Sequence, residues 1–178
     1  QGAMLSSDEQ AADSLVLRVA TLPVEDCLPV YYAQRMGLFD SCGVRVNIQE
    51  YQSQMDCDTA LVRLHSDIGY TFLPRIYVLQ SQGDTLLPQF YTSGRMYLVS
   101  AKTKRLKKTK LLQDRIIGIE RNSTAYYFAD QIITSAGLKT SDIYRAQIND
   151  VQLRTSMLNG QLVDAALLPE PYATLAEC

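Results

Sequence analysis

IIGIERNSTAYYFADQI, residues 116–132, sets a short β-rich apolar run against a helical one, with Arg121-Asn122-Ser123-Thr124 as the polar joint between them. Residues 115–119 read as a buried strand and 124–136 as a helix. A helix start leaves several backbone N–H groups without partners. Small polar side chains there either cap those donors or help a ligand satisfy them. The joint is therefore a cap or an anion cradle.

The same alternation extends in both directions. Upstream, 16–22 is a strand, LPVYYAQRMGLF is a helix stopped at Gly37, and 44–51 alternates as a half-buried strand. Residues 55–64 place Ala60, Leu61 and Leu64 on one helix face, 67–72 is a third strand, and Pro74 opens a helix ended by Gly83. Strands are expected at 86–92 and 96–100. Downstream come strand 115–119, helix 124–136, strand 143–148, helix 150–159, strand 163–168 and helix 170–176. Alternation at this pitch predicts parallel βαβ units in an α/β fold. Two such series imply two lobes, with 1–14 as a tag remnant and flexible leader, 15–95 as lobe 1 and 96–178 as lobe 2. In open α/β sheets, sites form beyond the carboxyl ends of the strands.

The chain has 178 residues, 47% of them hydrophobic, enough for a real core. Its formal charge of -2 and pI near 5.4 argue against general nucleic-acid binding. No apolar run approaches the roughly 20 residues that span a bilayer. Gln1-Gly2-Ala3-Met4 reads as the remnant of a cleaved tag, so an export signal could have been removed with it. Six positive side chains in 102–110 read as a solvated loop. Cys27, Cys42, Cys57 and Cys178 are too widely spaced for a zinc site, and free thiols are expected, with one disulfide left open. Cys27 precedes a helix start, where the dipole can lower a thiol pKa.

The loops at the strand ends carry hydroxyls, amides and carboxylates rather than a catalyst. They are Pro23 to Asp26, Ser53, Thr71-Phe72, Ser93, Asn122 to Thr124, Asn149 and Pro169-Glu170, with Tyr31, Tyr70, Tyr91 and Tyr126 nearby. No serine-histidine-acid order is available, since the lone His65 falls at a helix end. Phosphate-loop and dinucleotide fingerprints are lacking too. No catalytic residue, cofactor or metal is expected. A small polar or ring-containing ligand in an interlobe cleft suits these groups.

LRVATLPVEDCLPVYYAQRMGLFDSCGVRVNIQEY, RIIGIERNSTAYYFADQIITSAGL and MLNGQLVDAALLPEPYATLAE resemble the NMT1/THI5-like solute-binding proteins of ABC importers for nitrate, sulfonates, taurine and thiamine-pyrimidine precursors. The resemblance covers about 15–177. It implies a two-lobed, type II periplasmic-binding-protein fold that closes on its ligand, here lacking the carboxyl-terminal segment that completes the first lobe. Carried over by position, it places a ligand against Val24, Glu25, Thr71, Ser93, Asn122, Ser123, Thr124 and Glu170. It also implies an ABC permease partner, an extracytoplasmic or lipoprotein location and, through the incomplete lobe, a homodimer. A cytoplasmic enzyme on the same fold, in pyrimidine or menaquinone synthesis, and a ligand-sensing domain are the alternatives. The histidine and cysteine-rich motif of the fungal pyrimidine synthases are not visible here.

Overall fold

The computed structural model describes residues 16–177 apart from Arg105 and Asn122; the leader expected over 1–14 and Cys178 lie outside the described residues. Two sheets organise it. In the first, β1 (Val16–Thr21) pairs in parallel with β2 (Arg45–Glu50) along its whole length, Val16 opposite Arg45 and Thr21 opposite Glu50. The two-residue β3 (Ile68–Gly69) pairs on the other side of β1, giving the order β2-β1-β3. Pro29 sits in the first turn of α1 (Leu28–Arg35), where its missing N–H costs nothing. Gly37, at φ 67°, then turns the chain into the single-turn α2 (Leu38–Ser41). Ser53 caps α3 (Gln54–Val62) by accepting from Asp56 N at 3.2 Å, and α4 (Leu73–Ser81) follows β3.

The second sheet runs β4-β7-β5-β6, from β4 (Met96–Ser100), β5 (Ile116–Ile119), β6 (Tyr144–Gln147) and β7 (Ala165–Pro169). Its helices are α5 (Thr124–Ser135), α6 (Val151–Asn159) and α7 (Tyr172–Glu177). Successive strand side chains point to opposite faces, and β7 uses both. Ala165 and Leu167 pack with Ile117, Ile119 and Ile133 on the α5 face. Ala166 and Leu168 pack with Leu158, Tyr172 and Ala176 on the α6–α7 face. Each fully buried Ile or Leu contributes about 2 kcal/mol. The first sheet has a smaller core around Ala20, Leu22, Cys27, Cys57 and Ala60.

Several expectations need correction. Residues 86–92 form no strand: Pro88 removes a ladder donor, and Leu87, Phe90 and Tyr91 are exposed. The third strand contracts to two residues because the Tyr70 carbonyl accepts from the Gln54 side chain at 2.8 Å and the Cys57 thiol at 3.2 Å instead of a ladder. Leu64 is not on the buried face of α3; that helix ends at Val62, and Leu64, at φ 58°, is 76% exposed. β4 is antiparallel to β7, against the all-parallel reading, with Met96 opposite Pro169. The chain enters the second sheet at the carboxyl end of β7, so β4 runs back against it.

Candidate ligand-binding site

A cavity of about 710 Å³ lies between the two sheets. The loops around it follow β1, β3, β5, β6 and β7, which brings Leu22, Tyr70, Glu120, Asn149 and Pro169 to its walls. Phe72, Phe90, Tyr91, Met96 and Phe128 supply much of its apolar surface. Among the described residues, three hydrogen bonds cross between the halves 15–95 and 96–178. Glu25 N donates to Glu170 O at 3.0 Å and Val151 N to Gln52 O at 3.1 Å. Gln54 N donates to Glu120 Oε1 at 2.9 Å, and within the first half Arg95 N donates to Glu25 Oε1 at 3.2 Å.

Buried charge concentrates behind this wall. Asp58, 3% exposed, accepts from Gln54 Nε2 at 2.8 Å, Thr71 Oγ1 at 2.7 Å and Arg75 Nε at 2.9 Å. Arg154, 2% exposed, donates from Nε to Leu167 O at 2.9 Å and from Nη1 to Ile148 O at 2.5 Å and Asn149 O at 3.4 Å. It therefore ties the end of β6 to the middle of β7. Burial pushes the Glu120 carboxyl above its ordinary range, only partly offset by the Arg154 charge and the Gln54 N–H. The same burial depresses the Arg154 guanidinium.

The structure brings Val24, Thr71 and Thr124 to the cavity wall. Val24 is packed in the first core, and the Thr71 hydroxyl is spent on Asp58. Thr124 Oγ1 is buried without a hydrogen-bond partner. Ser123 stands at the N-cap of α5 but caps nothing with its side chain; its Oγ donates to Glu120 O at 3.0 Å. Glu25, Ser93, Ser123 and Glu170 stand outside the wall. Glu25 receives Arg95 N, and Glu170 accepts from Thr174 N at 3.2 Å and Thr174 Oγ1 at 3.1 Å, serving the start of α7. Asn122 lies outside the described residues. Tyr70 and Tyr91 line the cavity, whereas Tyr31 bonds Thr21 and Glu50, and Tyr126 lies beneath Arg145.

Cys27 departs from the expected lowered pKa. It is 2% exposed, and burial pushes its thiol up to about 11, overwhelming any dipole effect. Cys27, Cys42 and Cys57 are free thiols. Among the described residues, no cluster of three His, Cys, Asp or Glu could hold a metal. Nor is any described helix long and apolar enough to cross a membrane.

Sequence reasoning missed Glu120, Gln54, Asp58 and Arg154. Glu120 alone had a signal, being the polar residue immediately after β5; the other three lie inside helices, where charge ordinarily reads as a solvated face.

The NMT1/THI5-like sequence family matches residues 25–170. The chain belongs to that family. No curated protein matches it in sequence. Solved structures show that this NMT1/THI5-like chain has the type II periplasmic-binding-protein fold. The periplasmic aliphatic sulphonate binding protein SsuA from Escherichia coli matches 91% of this chain and 56% of its own, with a TM-score of 0.67 and 19% identity. SsuA from Xanthomonas axonopodis pv. citri, bound to MOPS, matches 89% of this chain and 55% of its own at 0.67 and 20% identity. The amino acid ABC transporter substrate-binding protein AbpA from Streptococcus pneumoniae, bound to L-arginine, matches 93% and 72% at 0.65 and 13%. The chain spans a little over half the length of the two sulphonate-binding structures.

Glu120 yields a prediction. A carboxyl whose folded pKa is raised destabilises the fold where it is ionised and costs nothing once it is protonated in both states. Glu120→Gln keeps an acceptor for Gln54 N and removes the charge. The substitution is expected to stabilise the chain at pH 7. The gain disappears as the pH falls below the ordinary glutamate pKa of about 4.3. Urea titrations at pH 7 and pH 4 check both halves, and a loss of stability at pH 7 refutes the assignment.

Proposed function

We propose that the chain is a non-catalytic solute-binding protein that holds a small polar nutrient between lobes 15–95 and 96–178 and delivers it to an ABC permease. The cavity at the strand ends carries this reading, since it combines apolar walls with few, fixed polar groups. Membership of the NMT1/THI5-like family supports sulfonates, nitrate and thiamine-pyrimidine-type compounds as first candidates. An extracytoplasmic location, with or without a lipid anchor, belongs to the same reading. So does pairing of two copies through the lobe 15–95. In this proposal the α5 start is an acceptor-binding end of the cleft, through Thr124 and the backbone donors of the joint.

A thermal-shift screen of alkanesulfonates, nitrate, pyrimidines and amino acids tests the proposal. A true ligand at a hundred times its Kd stabilises the folded chain by about 2.7 kcal/mol and is recovered chemically unchanged. Turnover of the best hit supports the enzyme alternative, and a flat response across the panel removes the solute-binding reading. Sedimentation of the same sample reads the association state.

A further inference from the structure

All six lysines of the chain, Lys102, Lys104, Lys107, Lys108, Lys110 and Lys139, lie in two connections at one end of the second sheet, and each is exposed. β4 ends there at Ser100, opposite Ala165 at the start of β7, and β5 and β6 begin there at Ile116 and Tyr144. The cavity lies at the other end of these strands, beside Glu120, Asn149 and Pro169. Hydrogen bonds tie the connections into one face. Asp114 N donates to Asp142 O at 2.7 Å, Ala101 N to Asp164 O at 2.9 Å and Thr103 Oγ1 to Gln161 Oε1 at 3.0 Å. The carboxylates of this face are Asp114, Asp142 and Asp164, and the last is taken up by Lys104 at 3.0 Å and Arg115 at 3.9 Å. Among the described residues, Lys107, Lys108 and Lys110 enter no ion pair. The whole chain stands at -2, so positive charge gathers here against an acidic remainder.

A lysine run without apolar anchors holds a bilayer only weakly, and the fold supplies anchors beside this one. Leu111, 49% exposed, follows Lys110, and Leu162, 66% exposed, follows Gln161, the partner of Thr103. A depression of about 280 Å³ adjoins them, lined by Leu98, Leu106, Leu112 and Ile132 together with Lys107 and Lys108. Lysine stems lie along such an apolar wall while their ammonium groups reach a charged layer above it. An acyl chain beneath an anionic head has the matching chemistry. The composition also separates a lipid surface from an acidic protein. Protein interfaces are enriched in arginine and depleted of lysine, whereas five of the six cations in 102–110 are lysine.

We propose that this end of the second lobe docks on an anionic bilayer, with the lysines over acidic headgroups and Leu111 and Leu162 inserted among them. The cavity, at the opposite strand ends, then faces away from the lipid surface. Docking of this kind needs no occupant in the cavity and does not compete with one.

Co-sedimentation of the purified chain with vesicles of phosphatidylcholine, alone or mixed with phosphatidylglycerol, tests it. The anionic vesicles are expected to bind about tenfold or more tightly at low salt. Most of that difference is expected to vanish at about 1 M salt, where the screening length falls to about 3 Å. Lys107→Gln with Lys108→Gln and Lys110→Gln is expected to weaken binding about tenfold or more at an unchanged unfolding midpoint. Leu111→Ser with Leu162→Ser is expected to weaken it about tenfold. Removing equal charge elsewhere, by Arg35→Gln, Arg63→Gln and Arg121→Gln, is expected to leave it unchanged. Equal binding to both vesicles, an equal loss in the arginine variant, or no binding at all overturns the proposal. So does unaltered binding in the lysine or the leucine variant. Retention of the chain by polyglutamate without binding to the anionic vesicles assigns the face to an acidic protein and overturns it too.

Discussion

Arg154→Leu is expected to lower the stability of the chain by about 4 kcal/mol, to be read by urea denaturation at pH 7. Leucine fills much of the volume but none of the polar role. Three carbonyls, that of Leu167 in β7 and those of Ile148 and Asn149 just beyond β6, lose a charged donor. Glu120 loses the largest positive charge that lowers its pKa and stands in the cavity wall with the Gln54 N–H and the weaker Arg75 charge to stabilise it. The pair is coupled, so Glu120→Gln is expected to stabilise the Arg154→Leu protein more than it stabilises the parent. A double-mutant cycle measures the difference. Additivity would mean that the two charges do not sense each other, and a cost for Arg154→Leu below about 1 kcal/mol would show that the carbonyls find other donors.

The elements of the second sheet were legible because each pairs an apolar run with a polar joint and a helical period. VDAALLPEPY is the clearest case: β7 is buried on both faces, so its sequence is continuously apolar, and Glu170 then marks the turn toward α7. The first sheet was less legible. Residues 67–72 have the composition of a strand, yet Gln54 and Cys57 capture the Tyr70 carbonyl, a competition between distant residues that no local pattern records. Leu86 to Thr92 likewise reads as β-rich, but Pro88 and exposure leave it irregular.

The site divides in the same manner. Strand-end logic located Val24, Thr71 and Thr124, because loops beyond strand ends converge wherever the sheet is parallel. Ser123 and Glu170, reached by the same logic, stand outside that wall with their oxygens engaged in local bonds. It undervalued Gln54 and Asp58, one helical turn apart in α3, since an i, i+4 polar pair is ordinarily a surface feature. Only the packing of α3 beneath Tyr70 and Thr71 turns that pair inward.

Asp58→Ala is expected to cost about 3 kcal/mol and to disable ligand binding together. Asp58 joins three elements, since Gln54 begins α3, Thr71 follows β3, and Arg75 lies in the first turn of α4. Removing its carboxylate strands the Thr71 hydroxyl and frees Arg75 from its ion pair at 2.9 Å. It also releases one of the two acceptors that hold the Gln54 amide, leaving Tyr70 O alone to orient it. Asp58→Asn separates these effects. Its single carbonyl can still serve Gln54 and Thr71 from the Oδ1 position, while its NH₂ meets the Arg75 donor and gains nothing. The asparagine variant should therefore lose about half as much stability as the alanine variant and retain more of the binding of the best ligand from the solute screen. Chemical denaturation and calorimetry on the two variants give the comparison. Equal losses in both would assign the whole effect to the Arg75 ion pair and detach Gln54 from the site.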